Sequence, residues 1–263
     1  MIRPWLKLFR VVNLPTVPGD VFVGAAAALL GCTAVHPQDF ARVALVAAAS
    51  CFLYMFGLVD NDVIGAASDM DRPISDGQLS MRVARIARTI CLALGVATSA
   101  SAAFCVVSTD GVEYAVMFAA CQTAVSVVLV AAIVAYNRTK RPLLMGLCRG
   151  INVVLGASAV FPALLWARLV VRAPIQFCVG VFVVAVWTVY IAAVTKYSEG
   201  EETDPDRRRR VGQLIGGIVY LQLVVLVVFA IVNPCVNPLL LAGAMLLILL
   251  RALRRTFPKV NAS

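Results

Sequence analysis

Long apolar runs separated by short polar breaks make up most of the chain. Runs of roughly 20 apolar residues, the length that crosses a bilayer as a helix, fall near 13–35, 41–60, 84–108, 113–136, 143–166, 174–196, 211–232 and 237–252. Pro234 and Pro238 bracket the start of the last run, and Arg251 cuts it short. The pattern predicts an all-α, polytopic transmembrane bundle of about eight helices. It is a single domain over 1–263, with no room for a separate soluble unit.

Two longer polar loops interrupt the runs, at 60–82 and 196–211. One follows predicted helix 2 and the other predicted helix 6, about half a chain apart. Each carries carboxylates, then arginines, and leads into another helix. This layout predicts two four-helix halves, helices 1–4 over about 13–136 and helices 5–8 over about 143–252. Repeated halves in membrane folds place the binding site at their interface.

Composition agrees with a membrane location. The chain is 61% apolar and 14% charged, against about 45–50% and about 25% in soluble domains, and its mean hydropathy is +0.90. A net charge of +9 could suit nucleic acid, but the eight-span topology puts all of the 23 Lys and Arg on one side except Arg42, Arg168 and Arg172. Lys and Arg mark cytoplasmic loops. Both termini are therefore predicted to be cytoplasmic, in a cell inner membrane, and the basic excess to face anionic lipid rather than nucleic acid. Asp20 interrupts the first apolar run, which is read as the first helix rather than a cleaved leader. The eight cysteines are scattered without a CxxC pair and read as buried free thiols. The lone His36 has no predicted role.

Five aspartates (Asp60, Asp62, Asp69, Asp71, Asp76) crowd the first polar loop of a chain with only 14 acids. Asp62 and Asp69 are seven positions apart, so a helix continuing through both would put them on one face, about 10 Å apart. Magnesium takes one or two carboxylates, keeps water and completes its shell with substrate phosphates. Two facing acidic ledges would then hold a diphosphate through magnesium, with Arg72, Lys140 and Arg149 neutralising the remaining charge. The alternative is that these aspartates, Asp60 among them, are simply solvated at a helix end facing water.

The second loop reads "TKYSEGEETDPDRRRRVG". Asp204 before Pro205 has the form of a helix N-cap followed by proline at the first helical position. Glu199, Glu201 and Glu202 are the other candidate ligands, and Arg207–Arg210 read as a membrane-surface anchor. In "YNRTKRPLLMGLCRGINVVLG", Arg149 and Asn152 lie one turn apart inside an apolar helix. An intramembrane cation costs about 2.5–3.5 kcal/mol even on the lenient scale, which points to function, with snorkelling of Arg149 toward the near cytoplasmic end as the alternative. Asp20 is a second intramembrane charge, beside the helix-breaking Pro15 and Pro18, and suggests a polar cavity lining.

These stretches resemble the UbiA superfamily of intramembrane prenyltransferases. Asn61, Asp62 and Asp69 fall on its N-D-x-x-D-x-x-x-D pattern, with Gly65 at the middle position, and "DRPISDGQLS" is similar to the R-P segment that follows. Lys196 and Asp204 fit the second, K-D-x-x-D-x-x-x-D pattern, where Tyr197 and Gly200 replace the first two aspartates. "YNRTK" looks like the family's Y-N-x-x-K, and "MGLCRGINVVLGAS" is similar to a segment of bacterial members, including the EboC-like subgroup.

The resemblance implies magnesium-dependent transfer of a prenyl group from a polyprenyl diphosphate to a lipophilic or aromatic acceptor. The site it implies has Asp62, Asp69, Glu199 and Arg149 as catalytic groups. Metal would be held by Asp62, Asp69, Glu199, Glu202 and Asp204. Substrate contacts would come from Asn61, Arg72, Tyr136, Lys140, Arg149, Asn152, Lys196 and Tyr197. The alternative is a catalytically degenerate relative that binds or carries a prenylated or other lipophilic metabolite, for which Gly65, Tyr197 and Gly200 speak. "DGQLSMR" does not supply a CDP-alcohol phosphotransferase motif. A transporter of other ancestry would carry polar groups at broken mid-membrane helices, whereas here they are read as crowding one face.

Overall fold

The computed structural model describes residues 2–30, 36–67, 72–105, 112–160, 174–199 and 204–256. Among these lie nine α-helices: α1 (Ile2–Leu8), α2 (Thr16–Leu29), α3 (Pro37–Ile64), α4 (Met81–Ser101), α5 (Val112–Thr139), α6 (Pro142–Ser158), α7 (Pro174–Ser198), α8 (Pro205–Val232) and α9 (Asn237–Thr256). A 3-10 turn, Pro234–Val236, precedes α9. Six segments are long and apolar enough to cross a membrane: α3, α4, α5, most of α7 and α8, and the 3-10 turn with α9.

Two helices fall short of the full spans predicted for them. With 14 residues in α2 and 17 in α6, they rise only about 21 and 26 Å, against an apolar layer of about 30 Å. The start of α2 is delayed because residues 9–15 form successive turns. Arg10 takes a positive φ of 40°, and Thr16 Oγ1 donates to Asn13 O at 2.8 Å. Pro18 then sits in the first turn of α2, where a missing N–H costs nothing.

Local chemistry ends the helices where chains reverse. Gly65 closes α3, its N–H bonded to Asn61 O at 2.9 Å. Helix α3 therefore stops at Ile64; Asp69, expected to share a helical face with Asp62, lies outside the described residues. A glycine interior to a helix costs about 1 kcal/mol relative to alanine, which favours ending there. Lys140, at φ 55°, and Pro142, at the first turn of α6, make the sharp reversal from α5 into α6. Ser80 caps α4, accepting from Val83 N at 3.3 Å. Asp204 caps α8, accepting from the amides of Asp206 and Arg207 at 3.0 and 3.1 Å.

The short helices α2 and α6 run through the middle of the bundle, where glycines let backbones touch. A Cβ on Gly24 would lie 1.8 Å from Val153 O, and one on Gly156 2.1 Å from Val21 O. On its other side α6 meets α7, where a Cβ on Gly146 would lie 2.2 Å from Thr188 O. Lipid tails are as apolar as leucine, so close backbone packing of small residues substitutes for a hydrophobic drive. Helix α1 lies at the basic end, its Leu8 packed with Val59, Ile74 and Ala84.

The far end holds Arg42, buried, with its guanidinium over Phe118 at 5.2 Å and Nε donating to Ala159 O at 3.2 Å. Two of the described cysteines, Cys91 and Cys148, are buried; four are part-buried, and Cys178 is exposed, against the expectation for that residue.

Candidate functional site

A cavity of about 360 Å³ opens at the basic end, between α3, α5 and α6. One face of α3 lines it from Asn61 down through Gly57 and Tyr54 to Ser50. Those eleven steps correspond to a depth of about 16 Å. Leu129, Ile133 and Met145 form an apolar wall between a polar mouth and a polar floor.

The mouth is cationic. Lys140 Nζ donates to Asn61 Oδ1 and lies 5.8 Å over the Tyr136 ring. Arg72 Nη1 is 3.5 Å from Oδ1 of the buried Asp62. Arg10, from the turns before α2, also lines the cavity. Its guanidinium is within electrostatic range of the Tyr54 and Tyr136 hydroxyls. Among the described residues it has no ion pair and no side-chain hydrogen bond. The structure therefore brings Asn61, Asp62, Arg72, Tyr136 and Lys140 together as the sequence suggested, and adds Arg10.

Asp60 corrects the expectation of a solvated loop residue. It is buried in α3, with Arg88 Nη1 at 3.0 Å on one oxygen and Asn137 Nδ2 donating to the other at 2.9 Å. The same Asn137 amide donates to Gly57 O at 3.0 Å, pinning α5 to α3. Asp76 is exposed and accepts from Gln78 at 3.0 Å. Asp69 and Asp71 lie outside the described residues.

The second acidic loop contributes less. Lys196 Nζ donates to Glu199 at 2.6 Å, and both side chains are exposed. Tyr197 stacks under Arg207, whose guanidinium is 5.6 Å from the ring centroid. Asp204 is engaged as the α8 cap. Of this stretch, Ser198 alone lines the cavity among the described residues; Glu201 and Glu202 lie outside them. No three His, Cys, Asp or Glu side chains come together as a metal-binding group among the described residues.

The floor is a charged knot. Asp20, fully buried, lies 2.7 Å from Arg149 Nε. It accepts from Trp187 Nε1 and Gln222 Nε2, both at 2.8 Å, and from Asn152 Nδ2 at 3.3 Å. Arg149 Nη2 donates to Thr16 O at 2.7 Å, and Ser50 Oγ donates to Asn152 Oδ1 at 2.6 Å. Arg149, Trp187 and Ser50 are close to the midpoints of α6, α7 and α3, so this cluster sits deep in the bundle. That overturns the expectation that the polar groups crowd one face. Arg149 and Asn152 do line the cavity, but Arg149 spends its charge on Asp20.

Sequence reasoning missed Arg10, Ser50, Tyr54, Trp187 and Gln222. Gln222, an amide in the middle of an apolar run, was the signal that could have been read. Arg10 had none, because a basic residue before a first span is ordinary.

No family model matches the chain, and no curated protein matches it. A solved structure concerned with digeranylgeranylglyceryl phosphate synthase in membranes does superpose. Its TM-score is 0.51 at 16% sequence identity, covering 99% of this chain and 91% of that chain. The chain thus shares the overall helical fold of that structure.

Proposed function

We propose that this protein transfers a prenyl group from a polyprenyl diphosphate to a lipophilic acceptor within the membrane. The observation that carries the reading is Arg10. It is a cation without a counter-ion among the described residues, inside a cavity whose mouth also holds Arg72 and Lys140 and whose wall is apolar. A charge in such a place calls for an anionic partner. A diphosphate at the mouth with its chain along Leu129, Ile133 and Met145 satisfies both ends.

In the reaction the bond from C1 of the prenyl group to the diphosphate oxygen breaks, and its electron pair leaves with the diphosphate. A pair on the acceptor forms the new bond to C1, and the acceptor's displaced proton departs with the diphosphate. Arg10, Arg72 and Lys140 hold the leaving charge. The apolar wall keeps water from the allylic cation, and the Tyr136 ring offers it a π face. Arg149 and Asn152 act as a positioning floor, because the buried pair with Asp20 already satisfies them.

Magnesium, when bound, withdraws electron density from the leaving group. Among the described residues Asp62, buried and paired with the cavity-lining Arg72, would hold it, and one or two carboxylates are all magnesium requires beside phosphate and water. The resemblance adds Asp69, Glu199 and Glu202 as further ligands, while Asp204 is committed to its cap. The same resemblance favours the EboC-like subgroup, while the loop layout favours two four-helix halves around the cleft and the distribution of Lys and Arg favours cytoplasmic termini in an inner membrane.

The test is to incubate purified protein with labelled farnesyl or geranylgeranyl diphosphate, with and without magnesium. Diphosphate release that Asp62→Ala and EDTA abolish is the expected result. Tight binding without release, indifferent to EDTA, favours instead a carrier on the same scaffold. That second reading draws on the outward-facing Lys196 and Glu199 and on Gly65 at the middle motif position.

A further inference from the structure

A second concentration of charge lies away from the cavity, where the end of α9 meets the start of α8. Arg251, Arg254 and Arg255 occupy the last two turns of α9. Arg209 stands on α8, three and seven positions before Gly212 and Gly216, and so on the same helical face. None of these four lines the cavity, and none has an ion pair among the described residues.

Arg254 is held in a slot on α8. Its Nη2 donates to Gly212 O at 3.1 Å, and its Nη1 would lie 2.3 Å from a Cβ on Gly216. Its Nε is buried with no hydrogen-bond partner. Arg251 Nη2 donates to the Tyr220 hydroxyl at 2.9 Å, and its guanidinium lies over that half-exposed ring at 5.6 Å. Arg209 and Arg255 are exposed. Two of the guanidiniums are thus held against α8 by backbone glycines and a tyrosine, the exposed Arg209 and Arg255 lie on the same two helix ends, and among the described residues none of the four has an ion pair.

The location says what the balancing anion is. The membrane-crossing segments of α8 and α9 end here, at Arg209 and Thr256, so the cluster sits at the polar boundary of the bilayer. Directly below it α9 exposes Met245, Ile248 and Leu249, an apolar strip suited to an acyl chain. Guanidinium forks match phosphate oxygens, and basic pockets between helices at this depth bind anionic headgroups.

We infer that the α8–α9 cleft binds an anionic phospholipid, its phosphate on Arg251, Arg254 and Arg255 and a chain along Met245 and Ile248. The lipid closes a gap in the charge balance and ties α9 to α8 at the membrane surface.

The experiment uses the full-length protein in detergent, with phosphatidylglycerol or phosphatidylcholine added and retained lipid counted by native mass spectrometry. Wild type retains phosphatidylglycerol in preference to phosphatidylcholine. Each arginine near an anionic surface is worth about a 5-fold change in affinity, so Arg251→Gln/Arg255→Gln lowers retention roughly 25-fold. The exposed pair Arg82→Gln/Arg85→Gln, on α4 at the same membrane face, leaves it unchanged. Equal losses in the two double variants mean bulk attraction and overturn the site. So does equal retention of the two lipids, or displacement of phosphatidylglycerol by inorganic phosphate at millimolar levels. The result is independent of prenyl transfer, since all four arginines lie outside the cavity.

Discussion

Asp20→Asn probes the floor of the cavity with almost no change in shape. The carboxylate joins four helices: its own α2, α6 through Arg149 at 2.7 Å, α7 through Trp187 at 2.8 Å and α8 through Gln222 at 2.8 Å. All of its neighbours are donors. An asparagine turns one acceptor oxygen into a further donor aimed at donors, and it leaves Arg149 as a buried charge without a counter-ion. Removing one partner of a buried pair costs about 3–5 kcal/mol. In a chain of this size each kcal/mol moves the midpoint by about 2–4 °C, so Tm should fall by roughly 6–20 °C. Thermal unfolding in detergent can be followed with a thiol-reactive dye, because Cys91 and Cys148 are buried until the bundle opens. The double variant Asp20→Asn/Arg149→Gln removes both charges, and its loss should be smaller than the sum of the two single losses by about 0.5–3 kcal/mol. The reasoning is refuted if Asp20→Asn melts with wild type, or if the two losses simply add.

Gly24→Ala forces a methyl to within 1.8 Å of Val153 O, and overpacking of that kind costs about 1–3 kcal/mol. Gly180→Ala, interior to α7, meets nothing within 4 Å, and should add up to about 1 kcal/mol of helix propensity, read as a slight rise in Tm. Asn137→Ala strips Asp60 and Gly57 O of their shared donor. A loss of about 1–3 kcal/mol is expected, and Arg88→Ala, which removes the other partner of Asp60, should not add to it fully. Asp204→Ala removes the α8 cap and should lower stability by about 1 kcal/mol, read as a small drop in Tm that Asp204→Asn largely restores.

Much of the architecture was legible along the chain, because a bilayer demands about 20 apolar residues per crossing and internally satisfied backbone. Those demands are local, so apolar runs reported the helices, and a capping residue before a proline reported the start of α8 at Asp204-Pro205. The mouth was legible for the same reason. Asn61, Asp62, Tyr136 and Lys140 sit at helix ends that short loops force onto one face.

The rest depended on three-dimensional neighbours that spacing cannot report. Asp60 and Asp62 are two positions apart and look alike in sequence, yet one is clamped by Arg88 and Asn137 and the other faces Arg72 at the mouth. Asp20 is 129 positions from Arg149 and 202 from Gln222, and only the glycine-lined crossing of α2 and α6 lets them meet. Arg10 enters the cavity because the turns before α2 carry it there, and no periodicity describes turns. By itself the sequence determined which segments form apolar helices and which end of the bundle is basic, because hydropathy and charge act residue by residue. The tertiary structure alone decided which charges neutralise one another and which remain free for a ligand, because a buried charge takes its character from whatever packs against it.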